Sequence, residues 1–196
     1  MKEILVLYYS HRGSVRALAD RLARGIDSVP GCQARLRTVP KVSTVCEAVE
    51  AEVPERGSPY VEAIDLEECH GLALGSPVRF GNMAAPMKYF WDGTIGAWQN
   101  GSLVGKPACV FTSSGSLHGG NESTLLSMML PLFHHGMLLI GLPHTEPDLN
   151  QTTRGGTPYG ATHVAGTNGD PSLSDAEARL AFAQGQRLAN LVIKLS

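Results

Sequence analysis

Apolar residues in this chain fall into short unbroken blocks, separated by stretches with helical spacing. Ile4-Leu5-Val6-Leu7-Tyr8-Tyr9 is a continuous block, the pattern of a strand covered on both faces. Val15, Leu18, Ala19, Leu22, Ala23 and Ile26 then recur three and four apart, with arginines on the other side, which predicts a helix directly after a turn at Gly13. The alternation continues. Ala34 to Val39 reads as a weaker second strand, Leu72-Ala73-Leu74 as a third, Ala108-Cys109-Val110-Phe111-Thr112 as a fourth and Met137-Leu138-Leu139-Ile140 as a fifth. Pro86 suits the first turn of a helix reaching about Trp91, and Asn121-Glu122-Ser123 opens another that runs to about Phe133. Ser174-x-x-Glu177 has the form of a capping box and starts a last helix carrying Leu180, Leu188, Leu191, Val192 and Leu195. Strands alternating with helices predict an α/β fold with a doubly wound parallel sheet.

Two stretches carry no such period. Residues 40–62 mix Pro, Gly, Glu and Ser and read as a surface connection. From about Gly141 to Pro171 no strong period appears, although loops of that length in a compact domain usually serve function or an interface. Tyr159, His163 and their apolar neighbours argue against mere disorder there.

A length of 196 residues suits one domain spanning 1–196, and 43% hydrophobic residues are enough for a core. A net charge of -2 gives neither the footprint of a nucleic-acid partner nor a strongly acidic docking surface. The four cysteines, Cys32, Cys46, Cys69 and Cys109, are far apart and form no C-x-x-C pair, so neither a disulfide framework nor a zinc site is expected. Cys109, inside a predicted strand, reads as a small buried hydrophobe. A reducing, cytoplasmic setting follows as the expectation. The apolar run after Met1-Lys2-Glu3 is too short for a signal peptide, and no integral membrane segment is expected.

The chemistry concentrates in three Gly/Ser-rich loops, each after a predicted strand: Ser10 to Val15, Pro77 to Met83, and Ser113 to Gly120. In an open parallel sheet such loops share one rim, where ligands bind at the point at which strand order reverses. The first loop opens a helix, so free N–H groups and the positive dipole end favour an anion. Ser10 and Ser14 add hydroxyl donors, Gly13 permits close backbone approach, and Arg12 is a cation within the loop. An ordinary strand-to-helix turn with a serine cap would use the same residue types. No G-x-G-x-x-G follows the first strand, no G-x-x-x-x-G-K-[ST] exists, and no cysteine–arginine phosphatase loop or receiver-type acidic cluster appears. A phosphate at one loop and a flat polar ring between the other two describe a phosphorylated aromatic cofactor, FMN above all.

Five strings occur in order: Tyr8-Tyr9-Ser10-x-x-Gly13, Pro77-x-Arg79-Phe80-Gly81-Asn82-Met83, His118-Gly119-Gly120-x-Glu122, His134-His135-Gly136 and Gly155-Gly156-Thr157-Pro158-Tyr159-Gly160-Ala161. On these the chain resembles the WrbA-type NAD(P)H:quinone oxidoreductases, flavodoxin-like FMN enzymes, over nearly its whole length. The resemblance implies a five-stranded sheet in the order 2-1-3-4-5, FMN at the switch point, and a homotetramer. It implies that Ser10, His11, Arg12, Gly13, Ser14 and Val15 hold the FMN phosphate. Val78, Arg79 and Phe80 would border the ring, with Ser113, Ser114, Gly115, Ser116, Leu117 and His118 on its other side. His134 matches a flavin-contacting histidine, with a catalytic role as hydrogen-bond or proton donor. Trp98 matches an aromatic lining a neighbouring subunit's substrate pocket, and its place between Gly96 and Gly101 reads as a loop.

The implied activity is two-electron reduction of small quinones by NAD(P)H in ping-pong order. On residue type alone, His134 reads first as a helix-end histidine capping carbonyls; Trp98 and Phe80 also suit a core, although the glycines around Trp98 favour a partly exposed platform for a planar ring. Arg12 stands where the family often has an aromatic. As a substrate-binding residue it would stack on an adenine or pair with a phosphate, which leaves NADH against NADPH open. A one-electron flavodoxin-type carrier and a non-enzymatic regulatory or interaction protein are the alternatives.

Overall fold

The computed structural model describes residues 1–43, 54 and 57–195. Cys46 and much of the expected 40–62 connection lie outside the described residues. The first block forms β1 (Lys2–Tyr8), and its alternate side chains separate to two sides of the sheet. Ile4, Val6 and Tyr8 join one core with residues of α1 (Ser14–Asp27) and α7 (Asp175–Leu195). Leu5 and Leu7 join the other, with Met87 and Trp91 of α3 (Ala85–Asp92) and Leu125, Met128 and Leu132 of α5 (Asn121–His134). Both faces of β1 are thus covered, which is why its sequence is an unbroken apolar run rather than an alternating one.

Around β1 lie β2 (Cys32–Thr38), β3 (Gly71–Pro77), β4 (Pro107–Ser114) and β5 (Leu138–Leu139), all parallel, in the order β2-β1-β3-β4-β5. The order agrees with the sequence expectation, with one addition. A sixth strand, β6 (Thr162–Val164), also pairs with β4. β5 pairs with Pro107 and Ala108 at the start of β4, and β6 pairs with Thr112 to Ser114 at its end, so the two share one edge of the sheet. The segment between them, expected to lack a period, holds α6 (Pro147–Gln151) and the turn at Thr157–Gly160. Two further short helices were not legible as periods: α2 (Ala63–Glu68) and α4 (Ile95–Gln99). Trp98 is therefore helical, a correction to the loop expected from its flanking glycines.

Helices α1 and α7 touch backbone to backbone. A Cβ on Gly25 would lie 2.0 Å from the Phe182 carbonyl oxygen, and one on Gly185 would lie 2.1 Å from that of Leu22. The capping box at α7 forms as expected. Ser174 N–H donates to Glu177 Oε2 at 2.8 Å, and Glu177 N–H donates to Ser174 Oγ at 3.3 Å.

Candidate active site

Parallel strands bring their carboxyl ends to one rim, and there the loops enclose a cleft of about 710 Å³, within the range of small-molecule sites. Ser10, His11, Arg12, Ser14 and Val15 contribute from the loop after β1, and Pro77, Val78, Arg79 and Phe80 from the loop after β3. Ser113, Ser114, Gly115, Ser116 and Gly119 contribute from the end of β4 and the loop after it. The three expected loops are thus brought together. Leu117 and His118, expected with them, are exposed and stand outside the lining, because the Gly119 N–H turns back to the Ser116 carbonyl at 3.0 Å and leaves both on the outer side.

The first loop opens α1, and a helix N-terminus with free N–H groups favours an anion. Gly13 caps α1 with φ 95, a left-handed conformation costly for other residues, and no side chain caps the helix. The N–H groups of its first turn therefore have no intrahelical partner. Gly13 N–H donates to Ser10 Oγ at 3.1 Å, which fixes the serine inside the turn. Arg12 is exposed beside it and pairs with no carboxylate among the described residues.

The second loop carries backbone strain. Arg79 and Asn82 exchange backbone hydrogen bonds at 2.8 and 3.1 Å around Phe80 and Gly81, whose φ values are 53 and 78. Two positive φ angles in a two-residue turn normally call for Gly or Asn. Phe80 holds one of them, the only non-glycine residue to do so among the described residues, and its ring is fully exposed. The turn is braced from below. Ser76 Oγ accepts Ala84 N–H at 2.8 Å, Thr112 Oγ1 donates to the Ser76 carbonyl at 2.6 Å, and Ser127 Oγ approaches Gly81 O at 3.4 Å. An exposed aromatic in a strained, braced turn is a feature that packing alone does not explain.

A fourth wall escaped the sequence reading. Ala165, Gly166, Thr167 and Gly169, from the loop after β6, complete the cleft. The available signal was the string Ala165-Gly166-Thr167-Asn168-Gly169 after the β-branched Thr162, but a three-residue strand gives too short a pattern to identify.

His134 and Trp98 lie together elsewhere. They line a second, shallower cleft of about 360 Å³ with Trp91, Ile95, Pro131 and His135, and not the first cleft. Trp98 Nε1 donates to the His134 carbonyl oxygen at 2.8 Å, and both side chains are exposed. His135 is the buried neighbour. Its Nε2 lies 3.1 Å from Thr94 Oγ1, its ring meets Trp91 edge-on at 5.2 Å, and burial, aided by the charge of His134, lowers its pKa. The described cysteines Cys32, Cys69 and Cys109 are free and buried, and burial pushes the Cys109 thiol far up, so it is inert as expected. No group of three metal-ligating side chains exists among the described residues.

The NADPH-dependent FMN reductase family model matches residues 3–144. Proteins named NAD(P)H dehydrogenase (quinone) from Chromohalobacter salexigens and Geotalea daltonii are 41% and 40% identical to this chain. The first is matched over 100% of both chains and the second over 98% of both. Among solved structures, a flavodoxin, WrbA-like protein from Agrobacterium tumefaciens superposes with a TM-score of 0.69 at 20% identity, covering 100% of each chain, a likeness of fold. The loops that build the cleft thus stand on a flavodoxin-like sheet, and this chain belongs to the NADPH-dependent FMN reductase family.

Proposed function

We propose that this chain is a single-domain, FMN-dependent NAD(P)H:quinone oxidoreductase that reduces quinones to hydroquinones by two electrons in ping-pong order. The observation that carries the reading is the cleft itself, with an uncapped helix N-terminus on one wall and the strained, outward Phe80 on another. The names of the relatives, NAD(P)H dehydrogenase (quinone), supply the substrate classes.

The residues fit FMN. The free N–H groups of Ser14 and Val15 in the first turn of α1, with the two serine hydroxyls and Arg12, form a donor set for a phosphate. Val78, Arg79 and Phe80 on one wall and Ser113 to Ser116 on the other border a flat ring. FMN held there would supply the redox chemistry, a two-electron transfer from NAD(P)H to the quinone. The chain's own part is to orient the reactants, exclude water and stabilise negative charge as it develops.

His134 and Trp98 act from a different face. In a homotetramer that face meets the first cleft of a neighbouring subunit, where Trp98 stacks on the planar substrate and His134 donates toward the ring or gives a proton to the quinone oxygen. Exposed apolar side chains on α3, α4 and α5, among them Tyr89, Ile95, Leu130 and Phe133, support burial of this face by other copies. Free, buried cysteines suit a cytoplasmic setting. Arg12, at the mouth, is the cation for a nucleotide phosphate or adenine.

The test is a set of initial rates with nucleotide and benzoquinone both varied. Parallel double-reciprocal lines are expected, and intersecting lines would overturn the ping-pong order.

A further inference from the structure

Beneath the fourth wall of the cleft lies a buried polar network. The side chains of His163 on β6 and Glu177 on α7 are both fully buried, with His163 Nδ1 3.0 Å from Glu177 Oε2. The other ring nitrogen, Nε2, lies 2.8 Å from the Asp170 carbonyl oxygen. Both nitrogens face oxygens that accept, and satisfying both takes an N–H on each. Glu177 is itself saturated. Its Oε1 accepts Gly155 N–H at 2.9 Å and Val164 N–H at 3.0 Å, and its Oε2 accepts Ser174 N–H at 2.8 Å beside His163.

The loop this network roots has few other supports. Ala165 N–H reaches the Ser114 carbonyl at 2.8 Å, and Asp170 N–H closes on Ala165 O at 2.8 Å. Between those roots, Gly166, Thr167 and Asn168 are exposed. The far end of the loop lies against the anion loop, since a Cβ on Gly169 would come within 2.8 Å of Arg12 Cδ and 3.0 Å of its Nη1. Where Asp170 is held therefore decides where Gly169 meets Arg12.

We propose that His163 is a positioning residue for the cofactor: by bridging Glu177 and the Asp170 carbonyl it fixes the Ala165–Gly169 loop against Arg12 and so sets how tightly FMN is retained. The inference rests on the cleft being the FMN site. It assigns to β6 and α7, which hold none of the residues expected to bind cofactor, control of the fourth wall.

Two substitutions divide the bridge. His163→Asn places an amide donor near the position of Nδ1, keeping the bond to Glu177 and releasing the Asp170 carbonyl. His163→Gln reaches the position of Nε2, keeping the Asp170 bond and releasing Glu177. FMN affinity is measured by quenching of flavin fluorescence on titration of the apoprotein, and stability by thermal melting of the same apoproteins. His163→Asn is expected to weaken FMN binding about tenfold, the effect of one hydrogen bond of ordinary net strength. His163→Gln should bind FMN within about threefold of wild type yet melt lower, because a buried carboxylate loses one of its four donors. Gly169→Ala, which strains the loop at φ 69 and crowds the Arg12 side chain without touching the buried pair, should reproduce the weaker binding even where His163→Asn fails to fold. Two outcomes overturn the inference: Asn and Ala variants that bind FMN within about twofold of wild type, or affinity losses in the His163 variants that merely follow their losses of melting temperature. Wild-type protein that binds no FMN overturns the cofactor reading itself, and the inference with it.

Discussion

The indole N–H of Trp98 donates to the carbonyl oxygen of His134 at 2.8 Å, tying the short helix α4 to the end of α5. The bond takes up a carbonyl at the helix end, one of the last that no intrahelical N–H can reach. The two side chains proposed for substrate handling therefore form one exposed unit, separate from the cleft that their own chain builds.

If that unit serves a neighbour's cleft, Trp98→Ala should raise the quinone KM about two- to tenfold, the worth of one aromatic stacking contact. FMN content should be unchanged. Sedimentation of the FMN-loaded protein is expected to give a tetramer. A monomer at high concentration with full activity would remove the shared site and the role of Trp98 with it.

Phe80 holds φ 53 with its ring in solvent, so its conformation costs about 1–3 kcal/mol without compensating burial. Phe80→Gly relieves that strain while adding about 0.5–1 kcal/mol of unfolded-chain entropy. The apoprotein should therefore be as stable as wild type, or up to about 2.5 kcal/mol more so, by urea denaturation. FMN binding should weaken, since the ring wall is gone. A stability loss of about 3–5 kcal/mol, as for a core phenylalanine, would contradict this reading.

Burial works to raise the pKa of Glu177, but hydrogen bonds from His163, Val164 and Ser174 outweigh it and bring the group from its ordinary 4.5 down to about 2. The folded chain therefore holds fewer protons here than the unfolded chain over that interval. The group's contribution, on the order of 3 kcal/mol, is fully present above about pH 4.5 and is lost as pH falls toward 2. Urea unfolding followed from pH 6 to pH 3 should show a steep fall in stability, and Glu177→Gln should be less stable at pH 6 and flatter below it. An unchanged slope in the variant would contradict the assignment.

Where Gly185 meets Leu22, a methyl group has no room, since its carbon would sit 2.1 Å from a carbonyl oxygen. Gly185→Ala should cost about 1–3 kcal/mol through separation of α1 and α7, although alanine is the better helix former by about 1 kcal/mol. A stabilised variant would mean that the helices are free to part at no cost.

What was legible in the sequence was what repeats. The continuous block at Ile4 to Tyr9 and the three- and four-residue spacing from Val15 to Ile26 are long enough to carry a period, and both elements formed where expected. Ser174 and Glu177 were readable as a capping box because that motif is local. Its deeper role was not, because the burial of Glu177 against His163 depends on β6 joining the end of β4, a tertiary fact. Thr162–Val164 is too short to declare itself, and α4 is a single turn flanked by glycines. The loops after β1, β3 and β4 that line the cleft were visible from residue type, whereas the place of Leu117 and His118 outside the lining rests on how one turn folds back.

Whether the cleft holds FMN and carries electrons from nucleotide to quinone is read from the visible spectrum of the purified protein mixed with FMN, then given NADPH or NADH without oxygen, then benzoquinone. Flavin bands should shift on binding, bleach with the nucleotide and return with the quinone. Bound flavin that neither nucleotide bleaches, or no binding at all, would contradict the assignment.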